Sequence, residues 1–214
     1  MSVELISHWG NDLTFVNAAR VSYGKEALEF AEKDAKLIKY LIEHKHTSVF
    51  RHASLSFRVK CPIYVERQLT KHQVGISINS ISGRYVDFSD SYTEIEQFRK
   101  QSVSSKQGSA EDLNTTDNYK ARMIQEELIV FAKKCYAVLL KLGVSKEQAR
   151  TVLPLSLNTE FIWTGTFLAF IHLCHLRLKP DAQKETRDLV QLMLNEVKTI
   201  ENNPFQHSLN AFGY

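Results

Sequence analysis

A cationic, hydroxyl-rich stretch at residues 67–85 carries the side chains with the clearest chemistry in this chain. It reads RQLTKHQVGISINSISGRY, with basic and hydroxyl side chains separated by apolar spacers. Gly75 and Gly83 lack a Cβ and allow a backbone to approach a ligand closely. Guanidinium, ammonium, hydroxyl and amide groups are the donors that a phosphate needs. A polar surface hairpin is the plain alternative, but the density of cationic groups favours an anion-binding segment.

Three arginines outside charged surface runs extend this interpretation. Arg84, Arg150 and Arg177 each lie in an apolar or Gly/Ser-rich context. A partly desolvated guanidinium requires a carboxylate or phosphate opposite it. Pairing with an acidic residue, for example Arg150 with Glu160, is the structural alternative. For three such arginines beside a Gly/Ser loop, a shared anionic ligand is favoured.

Length and composition exclude several other classes of protein. The chain has 214 residues, 43% of them hydrophobic and 24% charged, which is typical of one globular domain spanning residues 1–214. A net charge of +3 is too small to indicate a nucleic-acid partner. No apolar run approaches the roughly 18 residues that cross a bilayer, so no membrane association is expected. Three widely spaced cysteines favour a reducing, cytoplasmic location.

Periodicity predicts the elements that position these residues. Apolar residues at helical spacing predict helices, and alternation with period two predicts strands. The prediction comprises a strand at 3–9, helices at 12–19 and 26–43, a strand at 52–60, and helices at 62–72, 119–141, 159–178 and 181–200, with a short helix after Ser145. Residues 88–118 are polar and Ser-rich, which predicts a loop or arm over the site.

Two further chemistries are suggested by the residue types. His46, Arg51 and His52 could suggest a metal site, but acidic or Cys companions at zinc-ligand spacing are missing, so no metal is predicted. Cys61 precedes Pro62 at a predicted helix N-terminus, a position that can lower a thiol pKa and create a nucleophile. The alternative for Cys61, a small residue at a strand end, is favoured.

Residues 71–85 resemble the signature of the flavin-dependent thymidylate synthases. That signature is an Arg-His-Arg run followed by Ser, Asn and Ser-x-Arg-Tyr. The counterparts here are Lys71-His72-Gln73, Ser77, Asn79 and Ser82-Gly83-Arg84-Tyr85. Both arginines of the triplet are replaced, one extra residue precedes Ser77, and Ser80 stands where the family usually has Glu.

Other family motifs follow in the same order along the chain. The matching segments are ARVSY at 19–23, H-x-S-x-F-x-H at 46–52, Arg150 with Leu153-Pro154, T-x-F-x-W-T at 159–164 and LR-x4-AQ-x-E at 176–185. Because the resemblance covers most of the chain, it implies the family's fold. That fold is α+β, with a twisted, mainly antiparallel sheet flanked by helices.

The resemblance also implies an activity. Family enzymes methylate dUMP at C5, taking the carbon from methylenetetrahydrofolate and a hydride from reduced FAD, which NADPH regenerates. They form homotetramers in which the flavin lies between subunits. Here the apolar helix predicted at 159–178 is expected to supply interface surface. The alternative is a catalytically weakened homologue that binds nucleotide or flavin without turnover.

Carried over residue by residue, the resemblance assigns two overlapping sets. The expected dUMP-binding residues are Gln68, Lys71, Ser80, Ser82, Gly83, Arg84, Arg150 and Arg177, with Arg177 as the catalytic residue facing the uracil edge. The expected FAD-binding residues are Ser48, Lys71, His72, Gln73, Ser80, Thr166, Leu168 and His172. Thr166, Leu168 and His172 replace family Asn, Arg and Asn. The missing carboxylate at Ser80 predicts a more positive site.

Overall fold

A four-stranded antiparallel sheet forms the centre of the molecule. The computed structural model describes residues 1–87, 89–103 and 108–214. The strands are β1 Ser2–Trp9, β2 Ser54–Pro62, β3 Ile76–Ser80, β4 Arg99–Gln101, β5 Ser109–Asp112 and β6 Asn158–Thr166. The helices are α1 Asp12–Arg20, α2 Glu32–Glu43, α3 Ile63–Leu69, α4 Thr115–Lys141, α5 Lys146–Ala149, α6 Phe167–Arg177, α7 Lys184–Lys198 and α8 Gln206–Ala211. The sheet order is β1-β2-β6-β3, and the predicted α+β fold is confirmed.

Strand β6 lies inside the sheet and is the largest departure from the sequence prediction. A helix was predicted from residue 159 to 178, but the first half pairs with β2 and β3 as an antiparallel strand. Thr159, Phe161, Trp163 and Gly165 are buried in alternation with their neighbours, which is the period of a strand. A Cβ on Gly165 would lie 2.6 Å from the Trp163 ring, so a side chain there would displace the indole.

Helices α6 and α7 cover the inner face of the sheet. The core contains the aromatic side chains of Phe15, Phe50, Phe167 and Phe205, with ring centroids 5.1 Å apart for Phe15–Phe50 and 5.0 Å apart for Phe167–Phe205. Most residues of α6 are buried in this core. The apolar surface expected to form a subunit interface is therefore used within the chain itself.

Other helix boundaries differ from the predictions by a few residues. The predicted helices at 12–19, 62–72, 119–141 and 181–200 are present as α1, α3, α4 and α7. Helix α2 starts only at Glu32, and Leu28 before it is 88% exposed. Asn11, rather than Asp12, caps α1. The Asp12 carboxylate instead accepts hydrogen bonds from the backbone N–H groups of His207 and Ser208, at 2.8 and 3.1 Å, at the start of α8.

The predicted arm at 88–118 contains a two-stranded hairpin. Strands β4 and β5 pair antiparallel, and α4 begins inside the same stretch at Thr115. Arg99 of β4 forms an ion pair with Glu185 of α7 at 2.6 Å, which ties the hairpin to the helix layer. Phe88 and residues 104–107 of the predicted arm lie outside the described residues.

A helix that crosses a membrane must be both long and apolar. Within residues 1–87, 89–103 and 108–214, none of the helices combines the length and the apolar character that a bilayer span requires.

A buried ion pair joins α1 to α2. Arg20, the last residue of α1, contacts the Asp34 carboxylate, which is fully buried. The same carboxylate accepts a hydrogen bond from the Ala31 backbone N–H at 2.9 Å. The Asp34 carboxylate thus neutralises the Arg20 guanidinium and accepts the hydrogen bond of a backbone N–H at the start of α2.

We expect Asp34→Ala to lower the free energy of unfolding by about 3 kcal/mol, because it leaves the Arg20 guanidinium partly buried without a counter-charge. Urea denaturation followed by circular dichroism measures this change. Lys36→Ala is the matched control, since it removes an exposed pair with Glu32 at 3.2 Å. It should cost at most about 0.5 kcal/mol. Equal effects of the two variants would contradict the importance of the buried pair.

Candidate active site

The guanidinium of Arg177 is held at the end of α6 by two uncharged acceptors. Its Nε–H donates to His72 Nε2 at 2.9 Å, and Nη2 donates to the Gln68 backbone carbonyl at 3.1 Å. Gln68 lies in α3, and His72 lies in the turn that follows it. The contacts join the C-terminus of α6 to the C-terminus of α3. Two predicted site residues, His72 and Arg177, are thereby brought together.

Arg177 differs from the other partly buried arginines in its partners. Arg20 faces Asp34, and Arg99 faces Glu185, so both guanidinium charges are compensated. Within the described part of the chain, no carboxylate forms an ion pair with Arg177. Burial lowers the pKa of Arg177 from its ordinary value. A half-buried cation without a counter-charge is a position for an anionic ligand.

His72 is kept in its neutral form. Burial lowers the pKa of the imidazole, and the nearby charges of Arg177 and His172 lower it further. Because Nε2 accepts the Arg177 hydrogen bond, the ring proton must reside on Nδ1.

A glycine turn seats the 70–75 segment against the start of α6. The Gly75 carbonyl accepts a hydrogen bond from the Thr166 backbone N–H at 2.9 Å. Gly75 has a φ of +73°, and a Cβ on it would lie 3.1 Å from Thr166 Oγ1. That hydroxyl also caps α6 by accepting from the Ala169 N–H at 3.2 Å. The exposed side chains of Lys71 and Gln73 lie in the segment that this contact positions.

Arg84 and Arg150 each contact Glu147 of α5, which forms a second place of interest. Arg84 Nε lies 3.5 Å from the Glu147 carboxylate, and Arg150 Nε donates to the Glu147 backbone carbonyl at 3.3 Å. Both arginines are exposed. Among the described residues, no hydrogen bond or ion pair links this pair to Arg177. The alternative pairing of Arg150 with Glu160 is wrong, because Glu160 forms its ion pair with Arg58 at 2.8 Å.

The Ser82–Arg84 segment is a tight turn next to this pair. The Tyr85 N–H donates to the Ser82 carbonyl at 3.0 Å, and the Arg84 N–H lies 3.3 Å from Ser82 Oγ. Lys146 of α5 donates to the Tyr85 carbonyl at 3.4 Å, so α5 adds a further cation to the turn. Glu147 and Lys146 were missed by the sequence analysis. The only signal was their position within four residues of Arg150 on a predicted short helix.

The surroundings of Ser80 contain a carboxylate from another element. The Ser80 hydroxyl donates to Glu66 Oε1 of α3 at 2.9 Å. The carboxylate absent from position 80 is thus supplied by another element, and the expectation of a more positive site is wrong at this point. Glu66 could not be found from the signature, because it lies fourteen residues before Ser80 and is brought there by folding.

The remaining predicted flavin residues fall into two environments. Leu168 is 4% exposed and belongs to the core, which argues against a direct ligand contact by this side chain. His172 is exposed on α6. Ser48 is exposed in a 3-10 helix, Thr47–Arg51, and lines a cleft of 390 Å³ with Tyr40 and His46. Within a single chain, this cleft is built by α1, α2 and the 3-10 helix rather than by the Arg177 region.

Cys61 lacks the environment of a nucleophile. Its side chain is fully buried in β2, and burial, reinforced by the charge of Glu66, raises its pKa to about 12. Burial likewise raises the pKa of Cys174. A thiol must ionise to attack, so the cysteine alternative loses its support.

Comparison with known proteins gives one consistent family. The family model described as thymidylate synthase complementing protein matches residues 4–201. Among curated relatives, a flavin-dependent thymidylate synthase of Thermus thermophilus is 42% identical over 203 residues, covering 92% of this chain and 71% of the relative. That of Kosmotoga olearia is 42% identical over 187 residues, covering 86% and 79%.

Solved structures agree with these relatives. The UMP/dUMP methylase PolB from Streptomyces cacaoi, bound with 5-Br dUMP, superimposes with a TM-score of 0.85 at 27% identity, covering 99% of this chain and 94% of PolB. Its complex with 5-Br UMP gives a TM-score of 0.84 at 26% identity, covering 99% and 92%. The sheet order, the helices that cover it and the family match over residues 4–201 confirm the resemblance, and the chain belongs to the flavin-dependent thymidylate synthase family.

Proposed function

We propose that this chain methylates dUMP at C5 to form dTMP, using methylenetetrahydrofolate as carbon donor and FAD, reduced by NADPH, as hydride carrier. The observation that carries the proposal is Arg177, a half-buried guanidinium whose hydrogen-bond partners among the described residues are neutral, in a member of this family. The structural similarity to a dUMP methylase supports the choice of nucleotide.

The nucleotide phosphate would bind beside Glu147, the residue that both Arg84 and Arg150 contact. Ser82 and Gly83 form the adjoining turn and add hydroxyl and backbone donors. The ion pair of Arg84 with Glu147 is exposed on both sides and therefore weak. A phosphate dianion forms stronger, charge-assisted hydrogen bonds with guanidinium groups and would displace it. Gln68, Lys71 and Ser80 complete the proposed nucleotide set.

Arg177 would act on the pyrimidine ring. As C5 becomes nucleophilic, negative charge develops on the uracil edge. A guanidinium already fixed in place stabilises that charge without reorganising, and a site of lower polarity than water strengthens the effect. No covalent bond from the protein to the nucleotide is required.

The residues around the Gly75 turn fit a flavin. The turn brings the cation Lys71 and the amide of Gln73 beside the capped start of α6 at Thr166, and this surface is open. His72 and His172 adjoin it, and Ser48 would contribute from the 390 Å³ cleft. Bound there, reduced FAD supplies the hydride. Because the donors named here among the described residues lie in separate places on one chain, we propose that a second copy completes the pocket.

Helix α4 is the surface best suited to bring such copies together. Large apolar side chains are exposed along it, namely Tyr119, Ile124, Leu128, Val130, Phe131 and Val138. Solvent contact with this much apolar surface is unfavourable, and burial in a homotetramer would remove it. We also propose a cytoplasmic location, since all three cysteines are free.

The direct test is reaction of the purified protein with dUMP tritiated at C5. With methylenetetrahydrofolate, FAD and NADPH present, we expect tritium release to water and formation of dTMP, together with a flavin absorbance spectrum after addition of FAD. The control is flavin-free protein assayed without added FAD, which should release no tritium. Protein that binds dUMP but releases no tritium would instead be the weakened homologue.

Arg177→Ala should lower kcat by about 10²-fold or more, since it removes a preorganised charge at the reacting ring. Cys61→Ala should retain turnover, because the buried thiol takes no part in the reaction. Both are measured by tritium release under saturating dUMP. Loss of turnover in Cys61→Ala, with Arg177→Ala active, would reverse the assignment of the catalytic group.

Phe131→Asp should weaken the proposed tetramer, because a charge replaces an aromatic side chain that is 65% exposed in one chain and would be buried between copies. Size-exclusion chromatography with light scattering gives the molar mass. Leu28→Asp is the control, an equally abrupt change at a residue 88% exposed away from α4. A tetramer that survives Phe131→Asp as well as it survives Leu28→Asp would exclude α4 as the interface.

A further inference from the structure

We propose that His72 is a positioning residue for Arg177, and that its uncharged imidazole nitrogen fixes the guanidinium in the orientation that meets the nucleotide ring. The inference rests on the proposed function and extends it. His72 would act through Arg177, in addition to any contact it makes with flavin.

The two contacts of Arg177 use one edge of its guanidinium. Nε and Nη2 form that edge, and they donate to His72 Nε2 at 2.9 Å and to the Gln68 carbonyl at 3.1 Å. A planar group held at two adjacent nitrogens cannot rotate about its long axis without losing both bonds. The Nη1 end of the fork stays free of protein partners among the described residues. That end is available to a carbonyl or an anion.

The identity of the partners preserves the positive charge. A carboxylate at position 72 would hold the guanidinium equally well but would cancel its charge, as Glu185 does for Arg99. An imidazole nitrogen and a backbone carbonyl accept hydrogen bonds while carrying no net charge. The arrangement therefore gives a fixed orientation and an undiminished electrostatic effect together.

The His72 ring is itself held by the fold. Its backbone N–H donates to the carbonyl of the fully buried Leu69 at 3.0 Å, and the segment after it is fixed by Gly75 against Thr166. From α6, Arg177 and His172 face the ring, and both disfavour its protonation. Its own segment carries the exposed cations Arg67 and Lys71. Strand β3, ISINS, which follows this segment in the chain, carries no titratable side chain.

Protonation of His72 would abolish the contact. The imidazolium has no acceptor nitrogen, and it would place a like charge beside Arg177. Because burial and the neighbouring cations lower the pKa of His72 from 6.5, the acceptor form persists at neutral pH and is lost only in more acidic solution. Turnover should therefore fall as the pH is lowered below 6.5, which gives the profile of kcat against pH an acid limb.

Two substitutions of His72 distinguish its role as a hydrogen-bond acceptor for Arg177 from the space that its side chain fills. In His72→Gln, the amide oxygen can accept the Arg177 hydrogen bond and cannot titrate, whereas His72→Leu offers no acceptor. We expect kcat within about tenfold of wild type for His72→Gln, and a fall of about 10²-fold for His72→Leu from a misdirected guanidinium. The acid limb of kcat should vanish in His72→Gln. The matched control is His175→Gln, which replaces an exposed histidine on α6 and should keep the acid limb of kcat.

All variants are compared with active wild-type holoenzyme at equal flavin content, judged by absorbance, and equal melting temperature. If wild-type protein releases no tritium, the proposed function itself fails. If wild type is active and His72→Gln and His72→Leu are equally impaired, or if the acid limb persists in His72→Gln, the positioning role is overturned. If His72→Leu does not fold, the pH profile of His72→Gln decides alone. Persistence of the acid limb then contradicts the positioning role, and loss of the acid limb supports it.

Discussion

The hydrogen bonds at the start of α6 determine where the reactive groups lie. The Thr166 N–H donates to the Gly75 carbonyl at 2.9 Å, and the Phe167 N–H donates to the Ala53 carbonyl at 2.8 Å. These bonds fix the first turn of α6 to the segments beside it on the sheet. Since a helix is stiff, fixing its first turn also fixes its last, which carries Arg177. The same junction sets the turn that carries His72, so donor and acceptor depend on one constraint.

The distribution of countercharges separates arginines that build the fold from those available to a ligand. Arg20 and Arg99 are partly buried and each faces a carboxylate, because an unpaired buried charge destabilises a fold. Arg177 is also partly buried, yet its partners are neutral. Its charge, which no carboxylate in the described part of the chain compensates, is a cost to stability that a bound anion would relieve. Functional sites commonly retain such destabilising features, and this contrast marks Arg177 without reference to any motif.

Sequence patterns identified elements whose burial follows a single period. Strand β2 was predicted within two residues because Leu55, Phe57 and Val59 alternate with polar residues. The stretch at 159–178 was misassigned because the apolar residues of β6 run directly into those of α6, with no turn residue between them to mark the change from strand to helix. The signature motifs located Arg84, Arg150 and Arg177, but the contacts of Glu66 and Glu147 depend on tertiary packing. No local pattern encodes a carboxylate that arrives from another element.

The proposed binding groups lie apart within one chain, so the proposed activity would depend on assembly of several copies. The arginines proposed to bind phosphate, Arg84 and Arg150, each contact Glu147 of α5, Arg177 lies at the end of α6, and Ser48 lines a cleft formed by α1 and α2. In a closed symmetric oligomer, each surface of one copy faces a related surface of another. Groups that lie apart on one chain can then converge across an interface. The exposed apolar side chains of α4 would supply a driving force for the proposed assembly, and open half-sites on a single chain would be its structural consequence.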